Sequence, residues 1–272
     1  MLLFLSVIAL QLIHIDSHRI KRDYLDLNSC FVYRKGYRLE LKATDIESTD
    51  SIEFKDDCLR SCLTSMIWNG APCRSLMHMP KDNDCVLTSV DGSKAVRREN
   101  SPNQIPVNFY ENRCAVLPIQ GGGLLEVGLR GFRGGEGAVR ITAKRGENTQ
   151  IFVVIDGIKA DQKFDLLYLN DDVKDCLSLT HDERDRAKKW LTLRSDHTGL
   201  VVQPWKEIDE NILDDSVVTK KLLVTDSQTG EPLLCGAIKM KSTAEEWKAA
   251  KDSSSSLSIS IYLLLILIIF VP

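Results

Sequence analysis

Histidine, glycosylation sites and long basic runs are scarce in this chain. It has 272 residues, five of them histidine, and its formal net charge is −3. No run of Lys and Arg is long enough to neutralise a row of phosphates, which argues against nucleic-acid binding. There is no Asn-x-Ser/Thr sequon, so N-glycosylation is not expected. The composition, with 43% hydrophobic and 27% charged residues, is otherwise that of an ordinary globular protein.

The N-terminal end is apolar but too short to span a bilayer. The run from Met1 to Ile13 predicts a secretory signal peptide over residues 1–17, although no basic residue precedes it. The sequence Arg19-Ile20-Lys21-Arg22 then has the pattern of a proprotein-convertase site. Arg22 is therefore the candidate cleavage residue, at the end of a basic stretch in a pro-segment or linker over 18–27. The alternative is a basic patch with no processing role.

The C-terminal end is also apolar. The run from Leu257 to Val271 is followed only by Pro272, and no Lys or Arg follows it. A spanning helix needs ~20 apolar residues, so the run is marginal for that purpose. A hydrophobic tail after small polar residues is typical of a glycosylphosphatidylinositol (GPI) attachment signal. We expect a polar stalk over 241–256 and a GPI signal or membrane anchor over 257–272.

Two stretches offer small residues for GPI attachment. Ser253 is the preferred candidate, although it leaves a short spacer before the apolar run. Ser242-Thr243-Ala244 would leave a fuller polar spacer. The alternative is a tail-anchored single-pass protein. In either case the folded part lies outside the cytosol, at the outer face of the membrane or in the extracellular space.

A short stretch around two cysteines predicts the central element of the chain. Cys58 and Cys62 are four residues apart, so both sulfurs leave one face of a helix. Leu59, Leu63, Met66 and Ile67 extend that face into an apolar stripe. Acidic side chains at 56 and 57 suit the helix N-terminus. Such a helix can be attached twice to whatever lies beneath it.

The remaining cysteines surround this helix or lie far from it. Cys30, Cys73, Cys85 and Cys114 fall in the same half of the chain, whereas Cys176 and Cys235 stand alone; with Cys58 and Cys62 they make eight. In a secreted chain they are expected to be oxidised and paired. No thiolate is then left for catalysis.

The first domain, over 28–116, is predicted to be a small α+β unit. Strand-like runs lie on both sides of the helix, at Cys30–Arg34, Tyr37–Lys42, Pro72–Met79, Cys85–Thr88 and Val107–Glu111. His78 falls in one of these runs and is expected to be packed or exposed rather than a metal ligand. Lys94 with Arg97 and Arg98 marks either a solvated loop or a patch for anionic glycans.

The cysteine pattern of this domain resembles the PAN/apple family. The similarity lies in Cys58-x3-Cys62, Cys73, Cys85-Val-Leu-Thr and the closing Tyr110-Glu-Asn-Arg-Cys114. The resemblance implies one helix on a small antiparallel sheet, with disulfides Cys58–Cys85, Cys62–Cys73 and Cys30–Cys114. It also implies a binding module for protein or carbohydrate, not an enzyme, and carries over no ligand residue.

The second domain, over 124–240, follows a linker at 117–123. Eight short runs with Gly- or Asp-containing turns predict an all-β Greek-key sandwich or barrel. The runs are Leu124–Leu129, Ala138–Ala143, Gln150–Ile155, Phe164–Leu169, Trp190–Leu193, Leu200–Gln203, Lys221–Val224 and Leu233–Ile238. One interruption is predicted to be helical, because Thr180 and Glu183 have capping-box spacing ahead of Arg184–Lys189.

Three fragments of this domain resemble Cu/Zn superoxide dismutase. Thr229–Ile238, with Cys235 before Gly236, is similar to that family's closing strand. Phe164–Cys176 has the length of the family's segment from the copper-binding strand to the other disulfide cysteine, and Leu200–Gln203 is similar to the strand that bears a late copper histidine. The resemblance implies a Greek-key barrel and a Cys176–Cys235 disulfide.

The metal ligands of that family are missing. The matching copper positions are Asp165, Leu167 and Gln203, and the domain contains only His181 and His197. Leucine offers no lone pair, and an amide oxygen is a poor copper ligand beside imidazole. Pro232 also occupies the place of the arginine that guides the anionic substrate. We therefore expect no metal, no cofactor and no catalytic residues.

The sequence thus predicts an extracellular, membrane-tethered binding or adhesion protein whose partner is a protein or glycan. Two alternatives stay open: a dismutase with atypical metal ligands, and a structural component of matrix or cuticle.

Overall fold

The computed structural model describes a cysteine-rich module, residues 27–116, and an eight-stranded module, residues 123–240, followed by a helix. The described residues are 27–70, 72–97, 106–131, 134–169, 176, 179–180, 182, 184, 186–210, 212–218 and 220–252. Within them the fold is mostly β, with antiparallel sheets and two α-helices.

The cysteine-rich module places one helix beside a five-stranded sheet. Its strands are β1 (Phe31–Tyr33), β2 (Tyr37–Leu39), β3 (Ile46–Ser51), β4 (Ser75–Met79), β5 (Asp84–Thr88), β6 (Ala95–Arg97) and β7 (Asn108–Asn112). The antiparallel sheet has the order β1-β7-β4-β5-β3, and β2 pairs separately with β6. Strands β3 and β6 lie outside the runs predicted from the sequence. Strand β3 is polar and largely exposed, so it lacks the alternation that identifies a half-buried strand.

Helix α1 (Lys55–Asn69) is the predicted cysteine helix. Its buried residues recur at helical spacing and are Cys58, Leu59, Cys62, Leu63, Ser65 and Met66. The helix ends at Gly70, whose φ of 69° is left-handed and whose N–H donates to Met66 O at 3.2 Å. Glycine suits this position because it has no Cβ to clash in the left-handed region.

All eight strands predicted for the second half are present. They are β8 (Gly123–Arg130), β9 (Glu136–Ala143), β10 (Thr149–Asp156), β11 (Lys163–Leu169), β12 (Lys188–Arg194), β13 (Val201–Ile208), β14 (Lys221–Asp226) and β15 (Pro232–Met240). The antiparallel order is β12-β11-β14-β15-β8-β9-β10-β13. The two end strands, β12 and β13, contact each other, so the sheet curls towards a barrel. Alternate residues such as Val139, Ile141 and Ile151 fill its interior.

The predicted helix over Arg184–Lys189 is only partly present. Asp182 and Arg184 are helical, but Lys188 and Lys189 already belong to β12. Lys188 and Lys189 are exposed on this strand, while Leu191 and Leu193 point into the core. Burial of the alternating leucines therefore decides the conformation of this segment, and the local capping pattern does not.

The stretch expected as a polar stalk folds onto the eight-stranded module instead. Residues Ala244–Asp252 form helix α2, which begins with a capping box between Thr243 and Glu246. Trp247 is 3% exposed, and its indole donates to Asp215 Oδ1 at 2.8 Å. Lys251 Nζ pairs with the same carboxylate at 2.7 Å. Trp247 and Ala250 are three residues apart and form a narrow buried face on α2, although most residues of this stretch are polar or charged.

Replacing Trp247 by alanine tests whether α2 belongs to the folded unit. We expect W247A to lower the free energy of unfolding by about 3–5 kcal/mol, because it removes a large buried side chain and leaves a cavity. The control is W68A, since Trp68 is 70% exposed and surface substitutions usually change stability by about 0.5 kcal/mol or less. Thermal or urea unfolding measures both. Equal stability of the two variants would contradict the packing of α2.

Candidate functional site

Four disulfides hold the described structure. They join Cys30 to Cys114, Cys58 to Cys85, Cys62 to Cys73 and Cys176 to Cys235, with Cα–Cα distances of 5.1, 5.7, 5.1 and 6.1 Å. These are the pairs that the two resemblances imply, and no cysteine of the chain is free. Multiple disulfides are consistent with an extracellular or secreted protein, because such bonds persist in oxidising compartments.

Helix α1 contacts both modules. Within its own module, Cys58 is bonded to Cys85 on β5, and Cys62 is bonded to Cys73, two residues before β4. On the other side, Phe152 and Val154 of β10 and Val202 of β13 belong to the same hydrophobic cluster as Leu59, Leu63 and Met66. Strand β10 is consequently buried on both faces, since Ile151, Val153 and Ile155 point into the eight-stranded module.

Polar contacts fix the orientation of this interface. The guanidinium of Arg60 on α1 donates to Asp156 Oδ1 at 3.0 Å and also to Thr198 Oγ1. The indole of Trp205 on β13 donates to Cys114 O at 2.9 Å. The two modules therefore form one packed unit, joined through an apolar cluster and directional hydrogen bonds.

Among the described residues, the large hydrophobic side chains that are exposed all lie on one module. They are Tyr33 (49%), Ile46 (39%), Phe54 (63%), Trp68 (70%) and Val116 (60%). All five lie between residues 33 and 116, in the cysteine-rich module. Phe54 and Trp68 stand at the two ends of α1. Exposed aromatic residues are enriched at binding surfaces, whereas single exposed aliphatic residues need no explanation.

A cleft of about 690 Å³ lies where the two modules and α2 meet. Arg74 enters it from the cysteine-rich module, Arg140 from β9, and Lys241 from the segment before α2. Glu126, the cross-strand neighbour of Arg140, lies 3.3 Å from Arg140 Nε and 3.3 Å from Lys241 Nζ. Burial lowers the pKa of Arg140, Glu126 opposes this, and Arg74 lowers it further.

These three cations were not identified from the sequence. They stand at positions 74, 140 and 241, in different elements, and no motif links them. The basic cluster that the sequence did indicate is elsewhere: Lys94 is exposed in a 3-10 turn, and Arg98 lies outside the described residues. His78 is 2% exposed and its Nε2 lies 3.1 Å from Glu53 O, so it is a packed residue.

The structure does not bring together the positions that match copper ligands. Asp165 and Leu167 lie on β11, which pairs with β12 and β14, whereas Gln203 lies on β13, which pairs with β10. The residue opposite Asp165 on the neighbouring strand is Thr225. His197 is exposed, and His181 lies outside the described residues. Within the described ranges, no three His, Cys, Asp or Glu side chains converge on a common point.

Asp165 is a member of a hydrogen-bonded group instead. Its Oδ1 accepts from Thr192 Oγ1 at 2.9 Å and lies 2.8 Å from Lys189 Nζ. Burial alone would raise the pKa of Asp165, but the hydrogen bonds from Lys189, Thr192 and Ser227 lower it below its ordinary value. The carboxylate ties β11 to β12, so its role in the described structure is to support the sheet.

The predicted processing residues cannot be placed. Arg22 and Ser253 both lie outside the described residues. In the part of the chain that is described, neither helix is long and apolar enough to cross a membrane.

No family model matches the chain. A comparison with curated proteins finds the uncharacterized protein C34C12.7 of Caenorhabditis elegans, which is 33% identical over 262 residues. The match covers 94% of this chain and 90% of the nematode protein, so it includes both modules.

The pKa of Asp165 makes a testable contribution to acid stability. Because it is lowered in the folded state, the contribution is present above the unfolded pKa of about 3.9 and is lost as pH falls through the folded pKa. We expect D165N to be less stable than wild type at neutral pH and to lose less stability on acidification. T192V, which removes one donor, should give an intermediate curve. Unfolding free energies measured between pH 7 and pH 2 test this, and parallel curves for all three proteins would contradict it.

Proposed function

The chain belongs to the family of the nematode protein C34C12.7, and we propose that it is an extracellular, membrane-tethered binding protein without enzymatic activity. The cysteine-rich module carries the recognition surface for a protein or glycan. The eight-stranded module holds that surface in place. The single observation that supports this proposal best is the exposure of Tyr33, Phe54 and Trp68 on the first module only, among the described residues.

The assignment of the first module to the PAN/apple family is part of this proposal. The assignment is supported by the architecture, which is one helix on a five-stranded antiparallel sheet. Disulfides from Cys58 and Cys62 attach the helix to β5 and to the segment before β4. Members of that family are binding modules, and the resemblance leaves the ligand open. We propose that the ligand binds at the two ends of α1, where aromatic residues are exposed.

The dismutase-like assignment of the second module is also part of the proposal. An antiparallel eight-stranded sheet and the Cys176–Cys235 disulfide support it. The residues at the matching copper positions include Leu167, which cannot ligate, and Gln203 is on a strand that does not neighbour β11. The module therefore serves as a scaffold: its strands β10 and β13 form the apolar surface on which α1 rests.

A lipid tether at Ser253 fits the fold better than one near Ser242. Ser242 Oγ accepts from Leu124 N at 2.8 Å, and Thr243 caps helix α2. Attachment at either residue would remove α2 and expose the core surface that Trp247 covers. Attachment at Ser253, directly after the last described residue, leaves α2 intact.

Substitution of the exposed aromatic residues tests the recognition surface. The full-length chain is screened against arrays of extracellular proteins and of glycans, and each hit is measured again with W68A and with F54A. For at least one hit we expect one of the two variants to weaken binding tenfold or more, because buried aromatic anchors dominate interface energies. K239A, an exposed change on β15, is the control and should bind as wild type. If both aromatic variants bound every hit as tightly as wild type, the proposal would be contradicted.

Enzymatic release tests the tether. Cells that display the chain are treated with a phosphatidylinositol-specific phospholipase, and we expect the protein to appear in the medium. The S253L variant should not be released, because a bulky residue does not suit an attachment site. Retention of wild type on the cells, with residues 257–272 still present by mass spectrometry, would favour a membrane-anchored tail instead.

A further inference from the structure

The cleft between the modules has the dimensions of a ligand site. Its volume of about 690 Å³ falls within the roughly 300–1,000 Å³ that small-molecule sites occupy. It is bounded by Pro72 and Arg74 on one side and by Arg140 on the other, while Ala249 of α2 contributes to its wall. Because both modules and α2 contribute, the cleft exists only in the assembled unit.

The charges in the cleft are unequal. Three cations line it, Arg74, Arg140 and Lys241, against one carboxylate, Glu246. Glu246 already accepts from Thr243 N at 2.8 Å as part of the α2 cap. The side chain of Arg140 is 11% exposed and shares Glu126 with Lys241. Arg140 and Lys241 thus share a single carboxylate, and Arg74 lies 3.5 Å from the exposed Asp91, so only two carboxylates outside the lining face the three cations.

Part of the lining is apolar. Val116, Leu117 and Ile119 form this part, and Val116 is 60% exposed. The C-terminal end of α1 lies close by, since a Cβ built on Gly70 would be 3.9 Å from Lys241 Nζ. A ligand that fits must carry negative charge on one side and an apolar face on the other. A pyranose ring with a carboxylate or sulfate substituent has this distribution.

The strands bordering the cleft disfavour an extended peptide. Strand β4 lies between β7 and β5, β8 lies between β15 and β9, and β9 lies between β8 and β10. The backbone hydrogen-bonding groups of these strands are therefore used on both sides. Recognition by strand addition needs a free sheet edge, and the described sheets have their edges at β1, β2, β3, β6, β12 and β13.

We infer that this cleft binds an acidic saccharide, with the carboxylate or sulfate group held by Arg74 and Lys241 and the sugar ring against Val116 and Leu117. Arg140 adds to the attraction from beneath. The inference rests on the proposed binding function and deepens it, because it names the ligand class and a second surface, separate from the exposed aromatic residues of α1.

The test uses the full-length chain in detergent and three fluorescent probes: a heparin tetrasaccharide, a hyaluronan tetrasaccharide and a Glu-rich hexapeptide. Fluorescence anisotropy gives the dissociation constant of each. We expect at least one saccharide to bind, and R74Q and K241Q each to weaken it about tenfold, since each removes a charge-assisted contact. Added salt should weaken binding by wild type. Binding of heparin alone assigns the site to sulfate, and binding of both saccharides assigns it to carboxylate.

The matched control is R38Q. Arg38 and Arg74 are both in the cysteine-rich module, 44% and 51% exposed, and each has a carboxylate at 3.5 Å. R38Q should change saccharide affinity less than twofold. Equal losses in R38Q and R74Q, no binding of either saccharide, or a preference for the peptide would each overturn the inference. F54A, at the end of α1 opposite to Gly70, should leave binding of these saccharides unchanged, so that failure of the cleft is distinguishable from failure of the aromatic surface.

Discussion

The structure depends on the burial of one helix on two sides. Helix α1 presents Cys58 and Cys62 to its own module and shares an apolar cluster with Phe152, Val154 and Val202 of the neighbouring module. A helix of 15 residues is marginal in isolation. Two disulfides and two packing surfaces supply the stabilisation that its own hydrogen bonds do not provide.

This double burial explains why the chain is not two independent domains joined by a linker. Phe152 and Val154 would be an exposed apolar patch on the eight-stranded module if α1 were absent, although both are fully buried in the assembled protein. Patches of this kind promote association in solution. The ion pair of Arg60 with Asp156 at 3.0 Å adds direction to a contact whose strength comes from apolar area. Either module expressed alone would therefore expose an apolar surface that is buried in the assembled protein.

The parts of the fold that could be predicted are those with a strong local pattern. The eight strands are short apolar runs separated by turns, and the four-residue spacing of Cys58 and Cys62 fixes the buried face of α1. Strand β3 was not predicted, because its side chains are polar and it lies at a sheet edge. The sequence predicts a stalk in place of helix α2, because Trp247 is a single large apolar residue in a charged stretch. Its hydrogen-bond partner Asp215 is distant in sequence. Local composition carries no information on such long-range contacts.

The same reasoning explains why the candidate cleft could not be found from the sequence. The three cations, Arg74, Arg140 and Lys241, come together only in the folded protein, because α1 joins the two modules and α2 packs beside β8. The segment before α2 is fixed there, since Ser242 Oγ accepts from Leu124 N at 2.8 Å. Each cation by itself is an ordinary surface or cross-strand residue. Their shared potential is a property of the interface, since Arg74 acts on Arg140 across it. The contact that stabilises the helix and the charge that would attract an acidic ligand thus have one origin. A change that loosens α1 should weaken ligand binding at the cleft without touching a residue that lines it.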